Sequence, residues 1–170
     1  SLIELLNNCS ISFSFNSSNQ NVIKLDDVSV ENEIRKFEIS NKVSLIAEKN
    51  EIRKYVLKIQ KDISYDKSVV MDGRDIGSVV FPNADFKFFL DASIDVRASR
   101  RWNELRFIEK DLKFEELKKD LLKRDEKDMN RKFSPLIRSK DSVLIDSNEL
   151  EISEVVDIII EIINKEITNK

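Results

Sequence analysis

A chain of 170 residues with only two glycines has few places where its backbone can turn freely, and here both fall in one stretch. Gly73 and Gly77 lie within Val69 to Pro82, which reads Val-Val-Met-Asp-Gly-Arg-Asp-Ile-Gly-Ser-Val-Val-Phe-Pro and holds one of the two prolines. The short apolar run Val69, Val70, Met71 reads as a buried strand that ends at Asp72. Beyond it Asp72, Arg74 and Asp75 are threaded through the glycines. In open α/β sheets, ligands bind in the crevice at the carboxyl ends of the strands. Glycine lets the backbone turn sharply there and approach a ligand closely. A plain strand-to-loop turn with solvated charges would use the same residue types. The concentration of all the glycine in one place favours a binding loop.

Composition narrows the function classes. The charged fraction is 36%, yet the signs nearly cancel to a net charge of −3, which argues against a generic nucleic-acid or membrane-surface binder. No apolar run is long enough to span a bilayer and nothing resembles a signal peptide. The single cysteine, Cys9, has no internal disulfide partner and fits a reducing cytoplasm; it reads as a small hydrophobe in a strand. Histidine is absent, which removes His-based triads, His metal sites and imidazole bases. Neither glycine is followed by lysine, so there is no Gly-x-x-x-x-Gly-Lys-[Ser/Thr] loop to cradle ATP phosphates. The first residue is Ser1 rather than Met, and the expectation is that a front end is missing.

The elements can be read in order. Residues 2–6 look like the last turn of a helix. Cys9 to Phe15 alternates apolar with serine, a half-buried strand pattern. A polar turn at Asn16 to Asn21 and a returning strand at Val22 to Leu25 complete a hairpin, and Val28 to Val30 forms a possible third strand. From Glu31 to Ile63 the spacing is helical, with a charged break near Lys49 and Asn50. Lys87 to Leu90 is a second buried strand, and Ser93 is a good cap for the helix that follows. On that helix Arg97, Arg100 and Arg101 stand at i, i+3 and i+4 and share a face; pairing with Glu104 or Asp95 is one use for them, an anion another. Asn103 to Asp111 is irregular. Helical spacing resumes over Leu112 to Met129, where Arg124, Asp128 and Arg131 form one stripe. A simple Arg–Asp pair there would be worth roughly 0.2–0.5 kcal/mol. Val143 to Ile145 is a third short strand, and Ser153 is expected to cap a last helix. Strands near 69–71, 87–90 and 143–145 alternating with helices predict a parallel sheet covered on both faces.

Asp-Gly-Arg-Asp-Ile-Gly followed by Val-Val-Phe-Pro, then Phe-Phe-Leu-Asp-Ala-Ser at 88–93 and Arg-Asp-x-x-Asp-x-Asn-Arg at 124–131, resembles the bacterial cytidylate kinases of the nucleoside monophosphate kinase group. The resemblance runs from about Asp26 to the C-terminus. It implies an α/β P-loop kinase fold with a small antiparallel insert, and a chain without the first strand, the P-loop and the helix after it. Within one kinase-like domain it sets the acceptor-nucleotide insert and helices at 1–68, core strands and helix at 69–101, the lid and following helix at 102–132, and a closing strand and helix at 133–170.

The implied activity is transfer of the γ-phosphoryl of ATP, with Mg²⁺, to CMP or dCMP. Such transfer rests mainly on positioning and charge stabilisation and needs no histidine. By resemblance Arg74, Arg124 and Arg131 take the CMP phosphate and sugar region, and Asp128 takes a sugar hydroxyl. Ser44, Arg53 and Asp75 read the cytosine. Asp72 orients the Mg²⁺ shell with no direct metal ligand in the protein, and Arg97, Arg100 and Arg101 close over the triphosphate. Lys127 stands where the family often has arginine. The expected protein is a cytoplasmic monomer that binds CMP and ATP, not nucleic acid or membrane. The expectation for this chain is a fragment holding the CMP half. A non-catalytic nucleotide- or partner-binding remnant is the alternative. A basic RNA-binding module is disfavoured by the 32 acidic residues and by the lack of an aromatic-rich binding strand.

Overall fold

The computed structural model describes residues 2–168, apart from the side chains of residues 2, 3, 40, 41 and 44. Two units divide the chain, Ser1–Ile59 and Gln60–Lys170.

In the first unit, helix α1 (Leu2–Asn7) precedes an antiparallel sheet of β1 (Ile11–Phe15), β2 (Asn21–Leu25) and β3 (Val28–Ser29). Ile11 pairs with Leu25 and Phe15 with Asn21. The first turn is held by Asn16, whose Oδ1 accepts from the N–H groups of Ser18 and Gln20 at 3.0 and 2.9 Å. Two residues join β2 to β3, Asp26 and Asp27, with φ of 50° and 64°. Positive φ at both central positions is what a tight hairpin turn demands, and aspartate tolerates it. Three helices follow: α2 (Glu31–Ile34), α3 (Phe37–Ala47) and α4 (Asn50–Ser64), which carries the boundary between the units. The Tyr55 hydroxyl donates to the Leu6 carbonyl at 2.6 Å and ties α4 to the end of α1.

The hairpin corrects two expectations. Cys9 precedes β1 and is half-buried, its Sγ 3.2 Å from the Leu5 carbonyl. On β1 itself, Ile11, Phe13 and Phe15 stand on the exposed face while Ser12 and Ser14 are half-buried. The neighbour of β1 is chiefly β2, and a ladder covers a strand's edge rather than its faces.

In the second unit the expected strand at 69–71 does not form. Val69 and Val70 are exposed and irregular. A strand exists only by its ladder, and the parallel ladder among the described residues joins β4 (Phe88–Asp91) to β5 (Val143–Asp146) alone, Phe88 opposite Val143 and Asp91 opposite Asp146. Asp72 therefore ends no strand and is exposed. The stretch after it is not a plain loop either. Ile76–Val80 winds as one π-helical turn, with Val80 N–H donating to Asp75 O at 3.2 Å and Phe81 N–H to Ile76 O at 2.7 Å. Turns of this kind often occur at functional sites, and this one leaves Asp75 buried.

Three helices complete the unit: α5 (Ile94–Leu105), α6 (Phe114–Asn130) and α7 (Ile152–Thr168). Ser93 caps α5 as expected, its Oγ accepting from Val96 N–H at 3.3 Å. Ser93→Ala is expected to cost about 1 kcal/mol of stability, read from a denaturant titration. Ser153, by contrast, lies inside α7; the first turn is closed instead by the Glu154 carboxylate, which accepts from Glu151 N–H at 2.8 Å. A carboxylate reaching back to the helix start satisfies an orphan donor and favours the positive end of the dipole.

The irregular segment lies at 106–113 rather than 103–111, since α5 continues to Leu105 and α6 begins at Phe114. On either side of it α5 and α6 run antiparallel. Trp102 meets Phe114 edge-to-face with centroids 6.0 Å apart, and Lys118 pairs with Asp95. Ala98, Leu105 and Leu117 are buried.

Candidate functional site

Helical spacing builds one wall of the site. On α6, Asp125 and Asp128 are one turn apart and each is 5% exposed, with Arg124 half-buried beside them. The helix ends at Arg131, whose backbone leaves helical values at φ −65°, ψ 143°. Its Nε donates to the carbonyl of Ser134, a residue with φ 51°, and its Nη1 lies 3.3 Å from Asp128 Oδ1. The Leu136 N–H returns to the Asp128 carbonyl at 2.8 Å. The turn after α6 thus folds back to hold Arg131 in place.

The glycine stretch builds the other wall. Gly73 has φ of 158°, and a Cβ there would meet Ile76 Cγ1 at 2.9 Å, so glycine is what lets this chain turn before Arg74. Arg74 then reaches α6 with Nε 3.3 Å from Asp128 Oδ2 and Nη1 3.5 Å from Asp125 Oδ1. Asp75 Oδ1 is 4.0 Å from Arg131 Nη2. From α5, Arg97 gives Nη1 to Asp125 Oδ2 at 2.5 Å and Nε to the Ala92 carbonyl at 3.0 Å. Arg124 is held least, with Nε 3.9 Å from Asp128 Oδ2.

Four guanidiniums (Arg74, Arg97, Arg124, Arg131) therefore surround three carboxylates (Asp75, Asp125, Asp128), an excess of one cation. The pairing is also incomplete. Arg124 Nε, Asp125 Oδ1, Asp128 Oδ2 and Arg131 Nη2 are buried without a hydrogen-bond partner, although buried polar atoms are nearly always satisfied. Burial is the main cause that pushes the Arg124 guanidinium below the usual arginine range; Arg74 adds to it and Asp128 and Asp125 oppose it. Burial likewise lowers Arg131, with Asp128 opposing and Arg74 adding. Arginine stays protonated in proteins, so these are desolvated cations that favour negative charge nearby. An anion with several acceptor oxygens would supply it, since guanidinium binds phosphate oxygens bidentately. The unsatisfied Oδ2 of Asp128 would in turn accept from a hydroxyl group on the same ligand.

Of the residues singled out in the sequence, the second unit brings Arg74, Asp75, Arg97, Arg124, Asp128 and Arg131 together. Of the other two arginines of α5, Arg100 is held elsewhere, while Arg101 lies near enough to Arg124 for its charge to push that guanidinium down. Arg100 donates to Ser147 Oγ, Ser147 O and Leu150 O at 3.1, 2.5 and 3.0 Å, and Arg101 pairs with Glu104 at 2.6 Å. Asp72 is exposed. Arg53 is half-buried on α4 in the first unit, and the side chain of Ser44 lies outside the described residues. Two participants were given no role, although Asp125 stands in the motif at 124–131. Asp125 sits three residues before Asp128, a spacing that shares a helix face, and Ser134 contributes only a carbonyl, which sequence does not advertise.

No group of three or more His, Cys, Asp or Glu side chains suited to a metal ion occurs among the described residues. Mg²⁺ in phosphoryl-transfer sites takes one or two carboxylates plus substrate phosphates rather than an all-protein cage, and the exposed carboxylate of Asp72 fits that lesser role.

The chain is similar to known proteins over most of its length. The family model described as cytidylate kinase matches residues 1–165. The chain is 40% identical over 163 residues to a protein of Clostridioides difficile (strain 630) named cytidylate kinase, covering 96% of this chain and 73% of that one. It is 47% identical over 141 residues to the cytidylate kinase of Caldanaerobacter subterraneus subsp. tengcongensis, covering 83% of this chain and 63% of the relative. It is 42% identical over 166 residues to the cytidylate kinase of Clostridium tetani, covering 98% and 71%.

Proposed function

Because the chain belongs to the cytidylate kinase family, we propose that it is a phosphotransferase acting on CMP or dCMP, with ATP as donor. The observation that carries the reading is the set of three buried, unsatisfied polar atoms on Arg124, Asp128 and Arg131, with Arg74 beside Asp128 from the glycine turn. Those atoms ask for a ligand that is anionic at one end and bears donors nearby, which is the chemistry of a nucleoside monophosphate.

In this reading Arg74, Arg124 and Arg131 hold the CMP phosphate, and Asp128 accepts from a sugar hydroxyl. Asp75 accepts from the cytosine amino group. A phosphate oxygen of CMP attacks the γ-phosphorus of ATP, the bond to the β-phosphate oxygen breaks, and ADP leaves. The protein's part is to hold the attacking oxygen in line and to balance the charge on the transferring group. Arg97 stands next to Arg74 for this purpose. Arg100 and Arg101 would join only by leaving the carbonyls of Ser147 and Leu150 and the carboxylate of Glu104. Mg²⁺, arriving with ATP, would neutralise phosphate charge, with Asp72 orienting its water shell.

The test is ADP release from ATP and Mg²⁺ on addition of a nucleoside monophosphate. Turnover is expected with CMP or dCMP and at least tenfold less with AMP or GMP. ADP release that is independent of CMP, or equal with every monophosphate, would overturn the substrate reading. Binding of CMP without transfer is a second reading, favoured by the sequence, in which neither glycine is followed by a lysine. It predicts CMP binding with no CMP-dependent ADP release.

A further inference from the structure

The three arginines on one face of α5 do not act alike, and the carboxylate that separates them is Asp125. Arg100 spends both of its terminal nitrogens on Ser147 and the Leu150 carbonyl, and Arg101 pairs with Glu104 along its own helix. Arg97 crosses to α6, where its Nη1 meets Asp125 Oδ2 at 2.5 Å. The other oxygen of the same carboxylate lies 3.5 Å from Arg74 Nη1. Two guanidiniums from different elements thus flank one carboxylate that is 5% exposed.

We infer that Asp125 is a positioning residue. It holds Arg97 beside Arg74, so that Arg97 joins the arginines that meet the acceptor phosphate. The inference rests on the CMP-binding reading above and adds to it a residue that touches no substrate.

Three physical points support the assignment. Two guanidinium ions side by side repel, and a shared counter-charge offsets this at short range where the dielectric is low. Arg97 gives only two of its five N–H groups to the protein, to Ala92 O and Asp125, so the rest of its fork is available to phosphate oxygens. Asp125 Oδ1 is itself buried without a hydrogen bond. The pair with Arg74 is therefore a charge contact rather than a completed hydrogen bond, and Arg74 can turn toward a ligand without breaking one there.

A purely structural alternative treats the Arg97–Asp125 pair as a strap between α5 and α6. The two readings separate in a double-mutant cycle read as the ratio of cytidine to CMP dissociation constants, which isolates the phosphate's share of affinity. Arg97→Met is expected to lower CMP affinity about tenfold, the loss of roughly one charge-assisted hydrogen bond, and to leave cytidine affinity unchanged. In an Asp125→Asn background the same substitution should cost less than about twofold, because Arg97 is no longer held at the site. If Asp125→Asn does not fold, Asp125→Glu shifts the oxygens by one methylene and should give the same loss of coupling.

An equal cost of Arg97→Met in both backgrounds would overturn the positioning role. So would an unchanged CMP affinity in Arg97→Met, or equal losses for CMP and cytidine, which is the mark of a strap. Failure of the unmutated chain to bind CMP would overturn the binding reading itself, and the inference with it.

Discussion

Arg124→Met is expected to lower CMP affinity about 100-fold or more while leaving the fold intact. Arg124 is the least anchored cation of the cluster. Its nearest carboxylate oxygen is 3.9 Å away, its Nε is buried without a partner, and its side chain is 32% exposed. Two charge-assisted hydrogen bonds to a phosphate are worth about 3 kcal/mol or more together, which is over two orders of magnitude in the dissociation constant. Stability should change by less than about 0.5 kcal/mol or rise. Burial already disfavours this guanidinium, and methionine fills a similar volume without needing a partner. Calorimetric titration and denaturant unfolding on the same preparation check both halves. A large loss of stability, or unchanged CMP affinity, would contradict the account. Arg131→Met is a poorer probe, since that residue also holds Ser134 and Asp128 and its loss would leave Asp128 less compensated.

Leu117→Ala is expected to destabilise the second unit by about 2–5 kcal/mol. Leu117 is 2% exposed and lies on α6 where it packs with α5, an interface that also buries Ala98 at 0% and Leu105 at 3%. The cost is the transfer term of the lost atoms plus that of the cavity left behind, because surrounding side chains relax only in part. The site should suffer as well. Arg97 and Asp125 stand on these two helices, so a shift between them moves both walls of the cluster. Denaturant unfolding measures the first effect. CMP affinity under conditions where the variant remains folded measures the second, expected as a weaker loss than that of Arg124→Met.

The parts of this fold that were legible in the sequence are those specified locally. Ser93 caps α5 because its hydroxyl acts on a donor three residues away, and helical spacing puts Arg124, Asp128 and Arg131 on one stripe before any tertiary contact is known. The glycine stretch was legible as a turn for a similar reason, since few residues other than glycine tolerate the backbone at position 73. What could not be read depends on partners far away in the chain. Val69 to Met71 has the composition of a strand, but a strand requires a ladder, and Val69 and Val70 are exposed. The alternation on β1 indicates one apolar face without saying whether anything covers it. The π-helical turn at Ile76–Val80 has no signature beyond the charged and small residues before it.

The site shows the same division. Arg74, Arg124, Asp128 and Arg131 stand out by residue type and spacing, whereas Asp125 gains its meaning only when α5 delivers Arg97 to it. Arg100 has the same type and face in the sequence as Arg97, yet the loop after β5 claims it. Residue type proposes a phosphate ligand; only geometry separates the arginines that are spoken for from those that still lack an anion.

The central claim is that Arg74, Arg97, Arg124 and Arg131, incompletely paired with Asp125 and Asp128, take the phosphate end of CMP. The measurement that tests it most directly is calorimetric titration of the chain with CMP and, separately, with cytidine. The account predicts saturable binding of one CMP per chain, about 100-fold tighter than cytidine and weakened by added salt. Equal affinities for CMP and cytidine, or binding of neither, would contradict it.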